Sequence, residues 1–163
     1  MKRLVWGTLI VLVVASQAQP QAASQAGSDA DRKAVTAVRD QEAAAINAGD
    51  VEKLVGLYTD DVVLMPPNEP VVVGKQAARA YLRNMFQQFK IQATYTSVSD
   101  LKVAGDWASE RQAFTLKLTP SKGGAAMEDV GKGVHIYRRQ AGGWKLAQDV
   151  WNSDKPAPPP ATK

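Results

Sequence analysis

Residues Glu128–Asp154, EDVGKGVHIYRRQAGGWKLAQDVWNSD, decide how this chain is read. Two runs rich in β-branched and aromatic residues, Val134 to Gln140 and Trp144 to Trp151, flank Ala141-Gly142-Gly143. Glycine reaches the positive φ angles of a tight connection without steric cost, so the stretch predicts a β-hairpin. Upstream, Gln92 to Val103 reads as one long strand, Ala104-Gly105-Asp106 as a turn, and Trp107 to Thr119 as the returning strand. In that return Phe114, Leu116 and Leu118 alternate with polar Thr115 and Lys117, which assigns the two faces. Without a bulge the inward face also carries Gln112 and Glu110. Pro120 to Ala126 reads as a glycine-rich loop.

Moving further toward the N-terminus, the period changes from two to that of a helix. Ser28-Asp29-Ala30-Asp31 is a helix start, with a serine N-cap and an acid three residues on. The helix is expected to reach Ala48, with Gly49 as its stop, and Val35, Val38, Glu42, Ala45 and Ile46 share one face. Asp50 caps a second helix, Val51 to Tyr58, followed by a short strand from Val62 to Met65. Pro66-Pro67-Asn68-Glu69-Pro70 belongs to a loop or rim, because proline donates no ladder hydrogen bond. Val71 to Val73 resumes as strand. Gly74 then opens a third helix, Lys75 to Phe89, striped by Ala78, Tyr81, Leu82, Met85, Phe86 and Phe89. Helices grouped on one face of an antiparallel sheet define an α+β domain, here a curved sheet wrapped around helices as a cone with an open mouth.

The 163 residues hold one such domain, at 28–154. Lys2 and Arg3 precede the apolar run Leu4 to Ala15, and Ser16 and Ala18 suit the minus-three and minus-one positions of a cleavage site, so residues 1–18 read as a signal peptide. That apolar run is too short for a spanning helix, which needs roughly twenty residues. The expected product is exported, periplasmic or secreted, with no membrane association after cleavage. Residues 19–27 read as a disordered linker and 155–163 as a proline-rich disordered tail. Losing Lys2 and Arg3 lowers the formal charge from +4 to about +2, and the basic residues are scattered, which argues against nucleic acid. There is no cysteine, hence no disulfide and no thiolate nucleophile.

Glu42 is the exception on an apolar helix face. Burial there raises a carboxyl pKa and tunes it for acid/base work; the alternative is a structural pair with Arg39 or Arg111. His135 is the sole histidine. It can shuttle protons with Glu42 or Glu110, or simply be a satisfied strand histidine. One histidine without cysteine cannot assemble a His-rich or Cys-rich zinc site, and no metal or cofactor is expected. Asp149 and Asn152 are polar groups late in a central strand, with Asp149 read first as an ion-pair partner of Arg138 or Arg111. Trp107, Trp144, Trp151 and Tyr58 are core aromatics, some of them suited to line a flat apolar pocket.

Taken together, Ala48-Gly49-Asp50, Leu57-Tyr58-Thr59-Asp60-Asp61, Met65-Pro66-Pro67, Gly74-Lys75, Ala104-Gly105-Asp106-Trp107-Ala108 and the closing hairpin resemble the SnoaL-like and ketosteroid-isomerase-like branch of the nuclear transport factor 2-like superfamily. The likeness spans Ala30 to Asp154 and is closest to a bacterial group of unassigned function. It implies the cystatin-like cone and a homodimer through the sheet. Isomerases of this kind use an Asp base with a Tyr and a protonated Asp as donors to the substrate oxygen. Aligned on this sequence, the base position holds Pro66, the tyrosine position Glu42 and the protonated-Asp position His135, so none of the three roles carries over unchanged.

Three functions are therefore weighed. One is an exported binding protein with a conical apolar pocket for a small, ring-bearing ligand. Another is a proton-transfer enzyme, an isomerase, cyclase or dehydratase, using Glu42 with His135 or Tyr58. The third is a dimeric protein-interaction module. The expected pocket residues are Met65, Trp107, Glu110, Gln112, Asp149, Trp151 and Asn152.

Overall fold

The computed structural model describes residues 28–97 and 101–156. The expected signal peptide, linker and most of the proline-rich tail lie outside them. Helix α1 (Asp29–Ala48) begins at the Ser28 N-cap, whose side chain and that of Asp31 satisfy each other's backbone N–H groups; Gly49 ends it in the left-handed conformation, φ 65°. Such a cap is worth about 1 kcal/mol. The face that α1 buries is Val35, Val38, Glu42, Ala45 and Ile46.

Helix α2 (Val51–Gly56) is shorter than its pattern predicts. Tyr58 opens strand β1 (Tyr58–Met65) instead, because Tyr58 sits opposite Leu146 and the Leu146 N–H donates to the Leu57 carbonyl at 2.9 Å. Pairing with a distant strand outweighs one more helical turn, as tertiary context commonly does. Strand β2 (Val72–Val73) and helix α3 (Lys75–Gln88) follow. The long strand expected from Gln92 to Val103 is two strands, β3 (Phe89–Ser97) and β4 (Lys102–Ala104). Both pair with strand β5 (Trp107–Pro120), one beyond the other. Strands β6 (Met127–Gln140) and β7 (Gly143–Ser153) form the closing hairpin, longer on both arms than the sequence suggests and joined by Ala141-Gly142.

Among the described residues the strand order is β2-β1-β7-β6-β5-β3, with β4 on β5, an open path. All pairings are antiparallel except β1–β7, which is parallel. The sheet's inner face packs on α1, and α3 lies against β1, β2 and β3. Leu54, Leu64 and Leu146 are core residues at 2 % exposure or less, each contributing about 1.5–3 kcal/mol through burial.

Two local features position the interior. Strand β7 shifts register between the Ile136–Gln148 and Tyr137–Leu146 pairs, so Ala147 is an extra residue. Leu146 is therefore inward on one side of the bulge, and Asp149 and Trp151 are inward on the other, although their sequence parity differs. In β6 the inward positions opposite Phe114 and Gln112 are Gly131 and Gly133. A Cβ on Gly131 would stand 2.3 Å from Phe114 Cζ and 2.3 Å from the Asn152 carbonyl oxygen. Glycine there lets the Phe114 ring lie across the backbone. No helix among the described residues is long and apolar enough to cross a membrane.

Candidate functional site

Strict alternation along β5 buries Ala108, Glu110, Gln112 and Phe114, and alternation along β6 buries His135 and Tyr137. Glu42 reaches this surface from α1, and the Ala147 bulge delivers Asp149. The result is a cluster of ionisable groups enclosed by the cone. Glu42 Oε1 accepts a hydrogen bond from the Tyr58 hydroxyl at 3.1 Å. Glu42 Oε2 lies 3.6 Å from His135 Nδ1, too far for a hydrogen bond, and has no other partner. On the opposite ring edge, His135 Nε2 is 3.2 Å from Asp149 Oδ1 and 2.6 Å from the Gln112 side-chain amide. His135 Nδ1 lies 2.9 Å from the Tyr137 hydroxyl, which donates to Glu110 Oε2 at 3.4 Å. Arg39 closes the chain, donating to Glu110 Oε1 at 2.6 Å.

This arrangement sets the protonation states. Burial pushes the Glu42 carboxyl up to about 7, against the opposing pull of the His135 charge and the Tyr58 hydrogen bond. For His135, burial acts downward, but the carboxylates of Asp149 and Glu42 outweigh it and hold the ring at about 9. The imidazole is thus a cation at neutral pH, with both nitrogens as donors. Gln112 then serves the ring best by turning its carbonyl oxygen toward Nε2. Tyr58, Tyr95 and Tyr137 are all held well above the usual phenol range by burial first and by the nearby carboxylates second, so they remain protonated.

A cavity of about 90 Å³ opens beside the cluster. Glu42, Tyr58, Gln112 and Asp149 form its polar end, while Leu64, Leu82, Met85, Phe114 and Leu118 are among its apolar walls. Glu42, His135 and Asp149 also offer three potential ligand atoms within 4.8 Å of one another, a mixed carboxylate–imidazole set that the Cys-and-His count of the sequence does not consider. As arranged, the two carboxylates flank opposite nitrogens of the ring. A cation would bind only after displacing the ring proton and drawing one carboxylate across.

The structure brings Glu42, His135 and Tyr58 together, and it places Gln112, Asp149 and Trp151 on the cavity wall. Glu110 is buried behind the cluster, against Arg39. Glu110 is thus off the cavity wall, and three further expected pocket residues lie elsewhere. Met65 follows inward-facing Leu64 and does not line the cavity. Trp107 is 46 % exposed, with the Arg138 guanidinium 5.5 Å above its ring. Asn152 is exposed beside the lining residue Trp151. The expected ion pairs also change: Asp149 faces His135 while Arg138 pairs with Asp61 at 2.6 Å, and Arg39 pairs with Glu110 rather than Glu42. Sequence reasoning missed Tyr137 and Tyr95. Tyr137 stands two residues from His135 on the same strand face, a signal that was available; Tyr95 meets the His135 ring edge-on at 5.9 Å only through strand pairing.

An α+β cone with a buried polar floor and an apolar throat defines the class, that of the nuclear transport factor 2-like, cystatin-like folds. The chain belongs to the SnoaL-like domain family, whose sequence profile matches residues 38–147. Among solved structures it is similar to a ketosteroid isomerase-like protein from Erwinia carotovora atroseptica SCRI1043, at 24 % identity and a TM-score of 0.73 over 79 % of this chain and 100 % of that one. It is also similar to a conserved protein from Planctomyces limnophilus DSM 3776, at 31 % identity and 0.69 over 76 % and 98 %. An NTF2-like protein with a cystatin-like fold from Novosphingobium aromaticivorans shares 19 % identity at 0.61 over 78 % and 84 %. No curated protein matches the chain.

Proposed function

We propose that this protein is a proton-transfer enzyme for a small, largely apolar molecule, with Glu42 as its general acid/base. The observation that carries this reading is a carboxyl on the wall of an apolar cavity, held near neutrality, with one oxygen unpartnered. A group that titrates near the working pH accepts and returns protons with little bias either way. Tyr58 fixes Oε1 and leaves Oε2 for the reacting proton. The His135 cation, oriented by Asp149, stabilises the carboxylate form and is a positioning group. Pro66 has no proton acceptor at the place where isomerases of the resembling branch carry their base, so the chemistry is assigned to Glu42 and not to that position.

The test is to incubate the protein in D₂O with a panel of small cyclic ketones and alcohols and to follow deuterium incorporation or loss of water by NMR. Glu42→Gln should reduce the rate by about 10²–10⁴ while leaving the fold intact, since the amide still accepts from Tyr58. Binding across the panel with neither exchange nor conversion would sink the reading. It would leave the binding protein without turnover, which the double engagement of the His135 ring favours.

The same proposal includes a homodimer through the outer sheet face, supported by exposed Trp107, Val130 and Val150 on β5, β6 and β7, and export after cleavage at Ala18.

A further inference from the structure

The hydrogen-bonding groups left over at the polar end of the cavity are mostly acceptors. Glu42 Oε2 and Asp149 Oδ1 are buried without an aligned hydrogen bond, and both residues line the cavity; Gln112, its carbonyl oxygen turned to the imidazole, presents its amide N–H₂ beside them. Glu42 and Gln112 are each only 1 % exposed, so water at the mouth does not satisfy them. The donors nearby are already committed: Tyr58 to Glu42 Oε1, Tyr137 to Glu110, and the two ring nitrogens of His135 to their own neighbours. The Tyr81 and Tyr95 hydroxyls also line the cavity and serve in either role. A buried acceptor without a donor is a standing free-energy cost that an incoming O–H or N–H relieves.

Accepting the reading above that this cavity takes a small apolar molecule, the geometry points to a ligand that enters with a hydroxyl group, an alcohol or phenol, in preference to a ketone. Its O–H donates to Glu42 Oε2. Its oxygen accepts from the Gln112 amide once that side chain turns its carbonyl to the imidazole, so both orientations of the carboxamide leave it a partner. A ketone can accept from the Gln112 amide as well, but it brings no donor to Glu42 Oε2 or Asp149 Oδ1. An ammonium ion brings donors but must shed its hydration among leucine, isoleucine and phenylalanine side chains. Relative to a site with a tyrosine donor at the position of Glu42, the polarity is inverted. At about 90 Å³ the cavity is smaller than the ~150 Å³ that holds a benzene ring, so a six-membered ring displaces the flexible Met85 or Tyr81 side chains of α3 on entry.

The experiment compares cyclohexanol, cyclohexanone and cyclohexylammonium, one ring with three head groups, by titrating each into the full-length protein at pH 8. Binding is read from the change in tryptophan fluorescence, Trp151 being the indole on the cavity wall, and from the His135 ring protons. Cyclohexanol should bind at least about tenfold tighter than cyclohexanone. Glu42→Gln places an amide N–H₂ where Oε2 stood and should abolish or reverse that ratio. A second measurement needs no variant: at pH 5 the protonated Glu42 carries its own donor, and the alcohol preference of the unaltered protein should shrink. Equal or tighter ketone binding, tightest binding of the ammonium ion, or no binding by any probe overturns the inference. Alcohol preference without turnover would leave this inference standing and remove the enzyme, whereas ketone turnover without alcohol preference would do the reverse.

Discussion

His135 is the only imidazole in the chain, so its titration can be followed without assignment ambiguity. An NMR pH titration should give a midpoint near 9 rather than the ordinary 6.5, and Asp149→Asn should lower it by removing the strongest upward influence. The sign for stability follows from linkage. A histidine whose folded pKa is raised contributes stability that is complete below about 6.5 and lost as pH rises through about 9. Glu42, raised from 4.5 to about 7, is likewise better accommodated in its protonated form, and its contribution declines as pH passes from 4.5 through 7. Both act in one direction, so the denaturation midpoint should fall steadily between pH 5 and 9. Glu42 was legible in the sequence as a carboxyl interrupting an apolar stripe. Its partner was left open among Arg39, Arg111, His135 and Tyr58, all within plausible reach on a linear reading, and only the strand pairing brings Tyr58 to hydrogen-bond it with His135 beyond.

At the scale of the element, β5 and β7 show when period-two reasoning works. β5 pairs with β6 without interruption, so the inward assignment of Glu110 and Gln112 from Phe114 is correct. β7 carries the extra residue Ala147, and parity from Trp144 and Leu146 would turn Asp149 outward. Nothing in LAQDVW marks that bulge. Deleting Ala147 should therefore leave the Tyr137–Leu146, Ile136–Gln148 and His135–Asp149 pairs in one uninterrupted register, keep Asp149 inward and hold the His135 midpoint near 9, whereas inserting one residue between Gln148 and Asp149 should turn Asp149 outward and lower that midpoint, both readable in the same titration. A different outcome is expected at Gly131. Alanine there meets the Asn152 carbonyl and the Phe114 ring at 2.3 Å, and the backbone oxygen cannot move aside. Gly131→Ala should cost at least the roughly 1–3 kcal/mol typical of overpacking, measured by denaturant unfolding.

For the molecule as a whole, the α+β cone could be read from the order of periodicities and from the motifs at the turns. The split of one expected strand into β3 and β4 could not, since both halves look alike to a propensity argument. The proposed dimer makes its own prediction. Val150 is 39 % exposed and sits opposite Val134 on the outer face. Val150→Lys should convert a dimer to a monomer in analytical ultracentrifugation without lowering the His135 midpoint, because that face is turned away from the cluster. The intact mass of the protein expressed with residues 1–18 tests the proposed cleavage after Ala18.

The parallel seam between β1 and β7 ties the timing of folding to the geometry of the site. Tyr58 and Leu64 reach their places only against Leu146 and Asp149, which arrive near the end of synthesis. Until that seam forms, the β6–β7 hairpin can already set Asp149 opposite His135, but Tyr58 and Leu64, one wall of the cavity and the donor to Glu42, are not in place. Contacts between such distant segments make closure slow. Refolding protein should therefore gain ligand binding no earlier than the kinetic phase in which β1 pairs with β7.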